Sequence, residues 1–279
     1  MNPIGVTGVT GRLGAKVAAR LADRGVAQRL LARRPEAAPS LANAEVVAVD
    51  YTDASTVGKA LDGVQTLFMV SAKESADRVD VHRAFVDAAA EAGVRHLVYT
   101  SFYGAAPDAI FTIIRDHWAT EEHIRVSGMQ WTFLRDNLYL DLAPMLGGPE
   151  GVIRGPAGDG VFSPVAQDDI ADVAVAVLMN PSEHAGQAYD LTGPEQLSMA
   201  AVAAVVTELT GRQVRYVNET LAEAYASRAS YGAPDWEVEA WVSTYLSIAA
   251  GEMAGISDCV ERIAGHRPMS LRELLSRSP

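Results

Sequence analysis

Ile4-Gly5-Val6-Thr7-Gly8-Val9-Thr10-Gly11-Arg12-Leu13-Gly14 is the stretch from which the rest of the chain is read. Ile4 and Val6 are short β-formers, glycines stand at 8, 11 and 14, and Leu13, Val17 and Leu21 follow at helical spacing. That spacing predicts a buried strand, a tight turn and the start of an amphipathic helix. Backbone N–H groups at such a helix N-terminus point outward, and the helix dipole favours an anion there. Glycine is required where the backbone takes a positive φ or must approach a phosphate closely. A glycine pattern alone is weak, but its place between strand and helix points to dinucleotide binding, with Gly8, Thr10, Gly11, Arg12 and Leu13 at the diphosphate.

The 279-residue chain is long enough for a large core, and its net charge of -12 opposes nucleic-acid backbones and acidic membranes. No apolar run approaches the roughly 18 residues that span a bilayer. No basic region followed by an apolar stretch marks a secretory signal. A single cysteine, Cys259, allows no internal disulfide and suits a reducing cytoplasm. A cytoplasmic protein with no metal, nucleic-acid or membrane partner is expected; self-association as a homodimer stays open.

The first helix is expected to end near Gly25, and a second strand, 28–32, runs into Arg33-Arg34-Pro35. About 20 residues beyond the glycines an NAD-binding fold places an acid on the adenosine ribose. Two arginines stand here instead. A guanidinium holds a 2′-phosphate that a carboxylate would repel, so Arg33 and Arg34 favour NADP(H) over NAD(H), which is not excluded. A third strand, 45–49, leads to Asp50 and Tyr51, where a strand's carboxyl end could meet the adenine. Asp53 or Thr52 would cap the next helix. The apolar run 64–70 reads as a parallel strand covered on both faces, placing Val70 and Ser71 on the cofactor cleft. A helix over 76–92, a strand over 94–100 ending at Ser101 and Tyr103, a helix over 110–126 with His117 on its apolar face and a strand over 130–134 complete the alternation. The fold class is α/β, a doubly wound Rossmann-type parallel sheet.

Beyond residue 140 the rhythm changes. Proline and glycine crowd 144–160, which suggests a long functional loop. Asp168-Asp169 would cap a helix ending near 179, a strand is expected over 188–191, Ser198 would cap a helix to 209, and 213–217 reads as a short strand. Residues 220–254 look helical, broken at Gly232-Ala233-Pro234, and carry Tyr225, Tyr231, Trp236, Trp241 and Tyr245. Residues 1–140, with help from 160–195, are expected to bind the cofactor. Residues 141–279 would form a smaller α/β, mainly helical lobe whose aromatics either roof a pocket for a flat apolar substrate or belong to a core or interface.

Thr7-Gly8-Val9-Thr10-Gly11-Arg12-Leu13-Gly14 resembles the loop of atypical short-chain dehydrogenase/reductases, and Leu31-Ala32-Arg33-Arg34-Pro35 resembles the end of their second strand. Asp50-Tyr51-Thr52-Asp53, the run 92–101, the run 127–137, Asp168-Asp169-Ile170-Ala171 and Ser270-Leu271-Arg272-Glu273-Leu274-Leu275 extend the similarity over nearly the whole chain. The nearest branch is NmrA-like, of the NAD(P)H:quinone oxidoreductase and triphenylmethane-dye reductase type. The resemblance is specific for fold and cofactor and less so for reaction, because the branch also holds redox-sensing regulators without turnover and reductases of secondary metabolism.

Typical members of the wider group use a Tyr-x-x-x-Lys pair, and no such pair occurs in this chain. The resemblance puts His117 at the lysine position and Ile113 at the tyrosine position. His117 would then reach the ribose or a substrate oxygen, or else be a core histidine bonded within the protein. By the same resemblance Ser101 corresponds in position to the serine of the classical dehydrogenases, and would either orient a carbonyl oxygen or simply satisfy the strand end. A quinone, a dye cation or another conjugated acceptor needs little acid catalysis when hydride arrives. The sequence therefore points to an NADPH-dependent reductase of such acceptors, with His117, Tyr103 or solvent supplying any proton. An NADP(H)-sensing regulator is the rival reading.

Overall fold

The computed structural model describes residues 2–277. Seven parallel strands form the central sheet, in the spatial order 44–48, 28–32, 4–7, 66–69, 96–102, 130–136 and 187–191. In chain order they are β1 (Ile4–Thr7), β2 (Gln28–Ala32), β3 (Ala44–Ala48), β4 (Thr66–Met69), β5 (His96–Phe102) and β6 (Gln130–Asp136). Two short strands, β7 (Val152–Gly155) and β8 (Val161–Phe162), precede β9 (Gln187–Leu191), the last strand of the sheet. The order reverses at β1, where Val6 lies between Leu30 of β2 and Phe68 of β4. Ligands of open α/β sheets bind beyond the carboxyl ends of the strands at such a reversal.

Helices cover both faces because the central strands bury side chains on both sides. All four residues of β1 are buried. On one face α1 (Arg12–Asp23) packs on α5 (Gln167–Met179), over a core of Val6, Val17, Leu21, Ile170 and Val173. On the other, α2 (Ala54–Ala60), α3 (Arg78–Glu91) and α4 (Thr112–Val126) pack in succession over Leu67, Phe85, Leu97 and Phe133. Asp53 caps α2, accepting the Ser55 amide at 3.0 Å, and Gly25 follows α1 with φ +72.

The segments beyond β6 build a second apolar core around Ile153, Phe162, Met199, Val202 and Ile248. There β7 pairs with β11 (Arg215–Asn218), and β8 with β10 (Leu197–Ser198). Helices α6 (Met199–Thr210), α7 (Leu221–Arg228), α8 (Asp235–Ala249), α9 (Cys259–Ala264) and α10 (Leu271–Arg277) complete the chain.

Two expectations are corrected. The stretch 144–160 is not one long loop, since β7 forms inside it by pairing Ile153 with Tyr216 and Arg154 with Val217. Asp168 and Asp169 do not cap α5; the Gln167 amide is taken by Asp141 Oδ2 at 2.8 Å. Asp168 instead meets Lys16 at 2.8 Å and Arg20 at 2.6 Å, tying α5 to α1, and Asp169 accepts the Met269 amide at 2.7 Å. The carboxylates have turned from their own helix end to donors on neighbouring segments. Ser198 does cap α6, accepting from the Ala201 amide at 3.1 Å.

Candidate active site

The turn between β1 and α1 depends on its glycines. Gly8 has φ +66, and a Cβ there would lie 2.8 Å from Val70 Cβ. A Cβ on Gly14 would overlap the Gly8 carbonyl oxygen, so only glycine lets α1 start this close to the strand. Gly11 stands at the N-cap without a side-chain hydrogen bond, and the first turn of α1 holds no acid. The first amides of the helix therefore face outward without a capping side chain, the arrangement that receives a diphosphate. Leu13 is buried and can offer only its backbone, while Arg12 is exposed.

A cleft of about 480 Å³ opens from this turn, lined by Gly8 and Thr10 at its base, Arg33 and Arg34 beyond β2, Asp50 and Tyr51 beyond β3, and Val70 and Ser71 beyond β4. Neither Arg33 nor Arg34 makes a side-chain hydrogen bond or ion pair among the described residues, so both guanidiniums are free for an anion. Asp50 accepts from the Thr52 amide at 2.9 Å and its hydroxyl at 2.8 Å, which together with Arg33 hold its pKa below the usual carboxylate range. Tyr51 stacks on Phe85 with ring centroids 4.1 Å apart, and burial raises its pKa.

The cleft wall after β4 is held amide by amide. Val70 donates to Thr7 Oγ1, Ser71 to Thr100 Oγ1 and Ala72 to His82 Nε2, each at 2.8 Å. The Ala72 carbonyl accepts from Arg78 Nε at 3.1 Å. Burial and the Arg78 charge push the His82 pKa down to about 3, so the ring is neutral and accepts. Sequence reasoning missed Arg78 and His82. The available signal was their spacing with Phe85 and Ala89, which puts two polar residues on the buried stripe of α3.

The residues expected at the reacting end separate. His117 is 4% exposed and has both ring nitrogens engaged, Nδ1 with Tyr99 Oη at 3.0 Å and Nε2 with Arg78 Nη2 at 3.1 Å. Burial first, then Arg78, lowers its pKa well below the ordinary value, so His117 is neutral. Nε2 accepts from Arg78, and Nδ1–H donates to Tyr99. Ser101 is fully buried and donates to Glu121 Oε1 at 2.6 Å. Arg135 grips the same carboxylate at 2.8 and 2.6 Å. Tyr103 directs its hydroxyl at the Gly255 backbone. Among the described residues no cluster of His, Cys, Asp and Glu could hold a metal ion.

A second, larger cavity of about 940 Å³ opens at the carboxyl end of β6. Leu138, Leu146, Ile153, Phe162 and Met199 make it apolar, and Tyr231, Trp241 and Tyr245 line it; Tyr225 and Trp236 do not. A Cβ on Gly155 would collide with the Tyr245 ring, so that glycine makes room for the aromatic wall. Tyr139 also lines the cavity, and its hydroxyl donates to Asp136 Oδ2 at 3.2 Å. The sequence alone offers no sign of this pair, because the strand runs on to Asp136, two residues past the predicted end at 134.

Residues 8–181 match a family of NAD(P)H-binding proteins. The NAD(P)H azoreductase of Xenophilus azovorans is 33% identical over 273 residues, which cover 96% of this chain and 95% of that protein. The chain belongs to the NAD(P)H-binding family. Among solved structures, the NADPH-dependent quinone oxidoreductase of Escherichia coli complexed with NADPH superposes with a TM-score of 0.87 at 30% identity, covering 98% of each chain. The Citrobacter sp. triphenylmethane reductase complexed with NADP(H) gives 0.85 at 28% identity, covering 99% of this chain and 100% of that one. The NmrA-like, quinone- and dye-reductase resemblance drawn from the sequence is borne out, as is the Rossmann-type sheet. The glycine turn, the uncapped α1 and the cationic cleft fit the dinucleotide that this family binds.

Proposed function

We propose that the protein is an NADPH-dependent reductase of quinone-like and other conjugated apolar acceptors. The observation that carries this reading is the apolar 940 Å³ cavity at the carboxyl end of β6, on the same edge of the sheet as the cleft between β1, β2 and β4. Residues 1–140, with 160–195, act as the cofactor-binding part, and 141–279 as the acceptor lobe. The α1 amides and Thr10 hold the diphosphate, and Arg33 and Arg34 take the 2′-phosphate, so NADP(H) is preferred and NAD(H) binds more weakly. Asp50 and Tyr51 border the adenine end.

When bound, the reduced nicotinamide supplies hydride. The chain's own residues orient and shield. Thr7, Thr100, His82 and Arg78 fix the wall 70–72, and His117 acts as a positioning residue by holding Arg78. Ser101 acts through Glu121 to fix the end of β5 against β6. Leu138, Phe162, Met199, Trp241 and Tyr245 present an apolar surface that takes a flat ring and excludes water. A regulator that only senses the dinucleotide would need no such cavity. Purified protein mixed with NADPH should oxidise it when quinones or cationic dyes are added. Tight NADPH binding with no oxidation by any acceptor in the panel would overturn the assignment.

A further inference from the structure

Quinone reduction consumes a proton as well as a hydride, and the side chains expected at the reacting end are engaged within the protein. His117 is locked between Tyr99 and Arg78, Ser101 gives its hydrogen to Glu121, and Tyr103 is turned to Gly255. At the cavity, by contrast, a phenol that lines the wall is paired with a buried carboxyl. Asp136, the last residue of β6, is 3% exposed, and Tyr139 three residues on lies within hydrogen-bond distance of it and lines the cavity. Tyr139 also packs against the core cluster that contains Val9 and Val165, the same cluster against which Val70 of the cofactor cleft packs, and bridges to Val165 through its backbone. It therefore links the acceptor cavity to the core that lies under the glycine turn.

Resting on the reductase reading, the geometry points to Tyr139 as the catalytic proton donor to the acceptor oxygen, with Asp136 as the positioning residue that resupplies it. Burial raises the pKa of both groups well above their ordinary values, against the lowering effect of the Tyr139 hydrogen bond on Asp136, which favours a protonated carboxyl and an un-ionised phenol. The charged and titratable groups around them are Arg78 from α3, Tyr99 from β5 and Asp141 just beyond Tyr139. A neutral acid in an apolar site can give up its proton when charge develops beside it. The step balances. Hydride supplied by the reduced cofactor brings two electrons to the quinone, and the oxygen that gains the charge takes the Tyr139 Oη proton as the O–H bond forms. Asp136 returns a proton to Tyr139 and is itself reprotonated from water. One quinone, one NADPH and one proton yield one hydroquinone and one NADP⁺.

A cationic triphenylmethane dye separates this role from simple packing, because hydride neutralises its central carbon and no proton is taken up. In Tyr139→Phe the ratio of quinone to dye turnover (kcat) should fall about 100-fold. In Asp136→Asn it should fall about tenfold, the phenol losing its proton source. A second readout needs no turnover. Infrared spectra of the cofactor-free protein at neutral pH should show the carbonyl band of a protonated carboxyl that Asp136→Asn removes and that added menadione shifts. An unmoved turnover ratio in Tyr139→Phe, or a wild-type spectrum without that band, overturns the proposal. If the wild-type protein oxidises NADPH with neither acceptor, the reductase reading itself falls; if it uses both and the ratio stays put, only the proton route falls.

Discussion

Replacing Arg33 and Arg34 together by aspartate should turn the cofactor preference around. Both guanidiniums are exposed and unpaired at the cleft, so each charge-assisted contact to a 2′-phosphate is discounted for solvent to about 1 kcal/mol. Two carboxylates in their place, beside the ionised Asp50, add repulsion of about 1 kcal/mol against the dianionic phosphate. The loss is about 3 kcal/mol, or roughly 150-fold in the Kd for NADPH. NADH lacks that phosphate, and an aspartate can accept from its ribose hydroxyls, so its Kd should move by less than about threefold. Fluorescence titration with each cofactor measures both, at low and at physiological salt, since screening should weaken wild-type NADPH binding more than that of the variant. An NADPH Kd within threefold of wild type, or an equal loss for NADH, would refute the placement of the 2′-phosphate.

Other perturbations follow from the same geometry. Gly14→Ala drives a Cβ into the Gly8 carbonyl; it should weaken NADPH binding at least tenfold and cost about 1–3 kcal/mol in urea unfolding. Leu146→Trp fills part of the acceptor cavity, and the acceptor KM should rise about tenfold while the NADPH Kd, read by fluorescence, stays within about twofold. His82 is held neutral in the fold, with a pKa lowered from 6.5 to about 3. Its contribution is complete above pH 6.5 and is lost as the pH falls towards 3, because only the unfolded chain takes up the proton in that window. Between pH 6.5 and 5 the stability of wild type should therefore fall more steeply than that of His82→Gln, by up to about 1.4 kcal/mol per pH unit, as checked by urea titrations at each pH.

The parallel sheet was legible because its signals are local: apolar runs at 28–32 and 64–70, and glycines where φ must turn positive. The phosphate end of the site was equally open to reading, since Gly8, Thr10, Arg33 and Arg34 lie at fixed offsets from a strand and line one cleft. The reacting end was not. His117 and Ser101 sit at the expected places on α4 and β5, yet which partner takes each hydrogen depends on Arg78 and Glu121, residues 39 and 20 positions away in sequence. Asp136 and Tyr139 are ordinary until β6 carries one into the interior and the chain after it brings the other to a cavity whose far wall comes from α7 and α8. The run 144–160 misled for a related reason. Its prolines and glycines mark turns, but pairing with β11, some 60 residues later, makes a strand of its middle.

The most direct test is a crystal structure of the protein with NADP⁺ and a flat quinone. The account predicts the diphosphate against the first amides of α1, the 2′-phosphate between Arg33 and Arg34, and the quinone in the apolar cavity with one oxygen beside Tyr139 Oη. A quinone seated away from that cavity, or a dinucleotide lying elsewhere than across β1, β2 and β4, would contradict it.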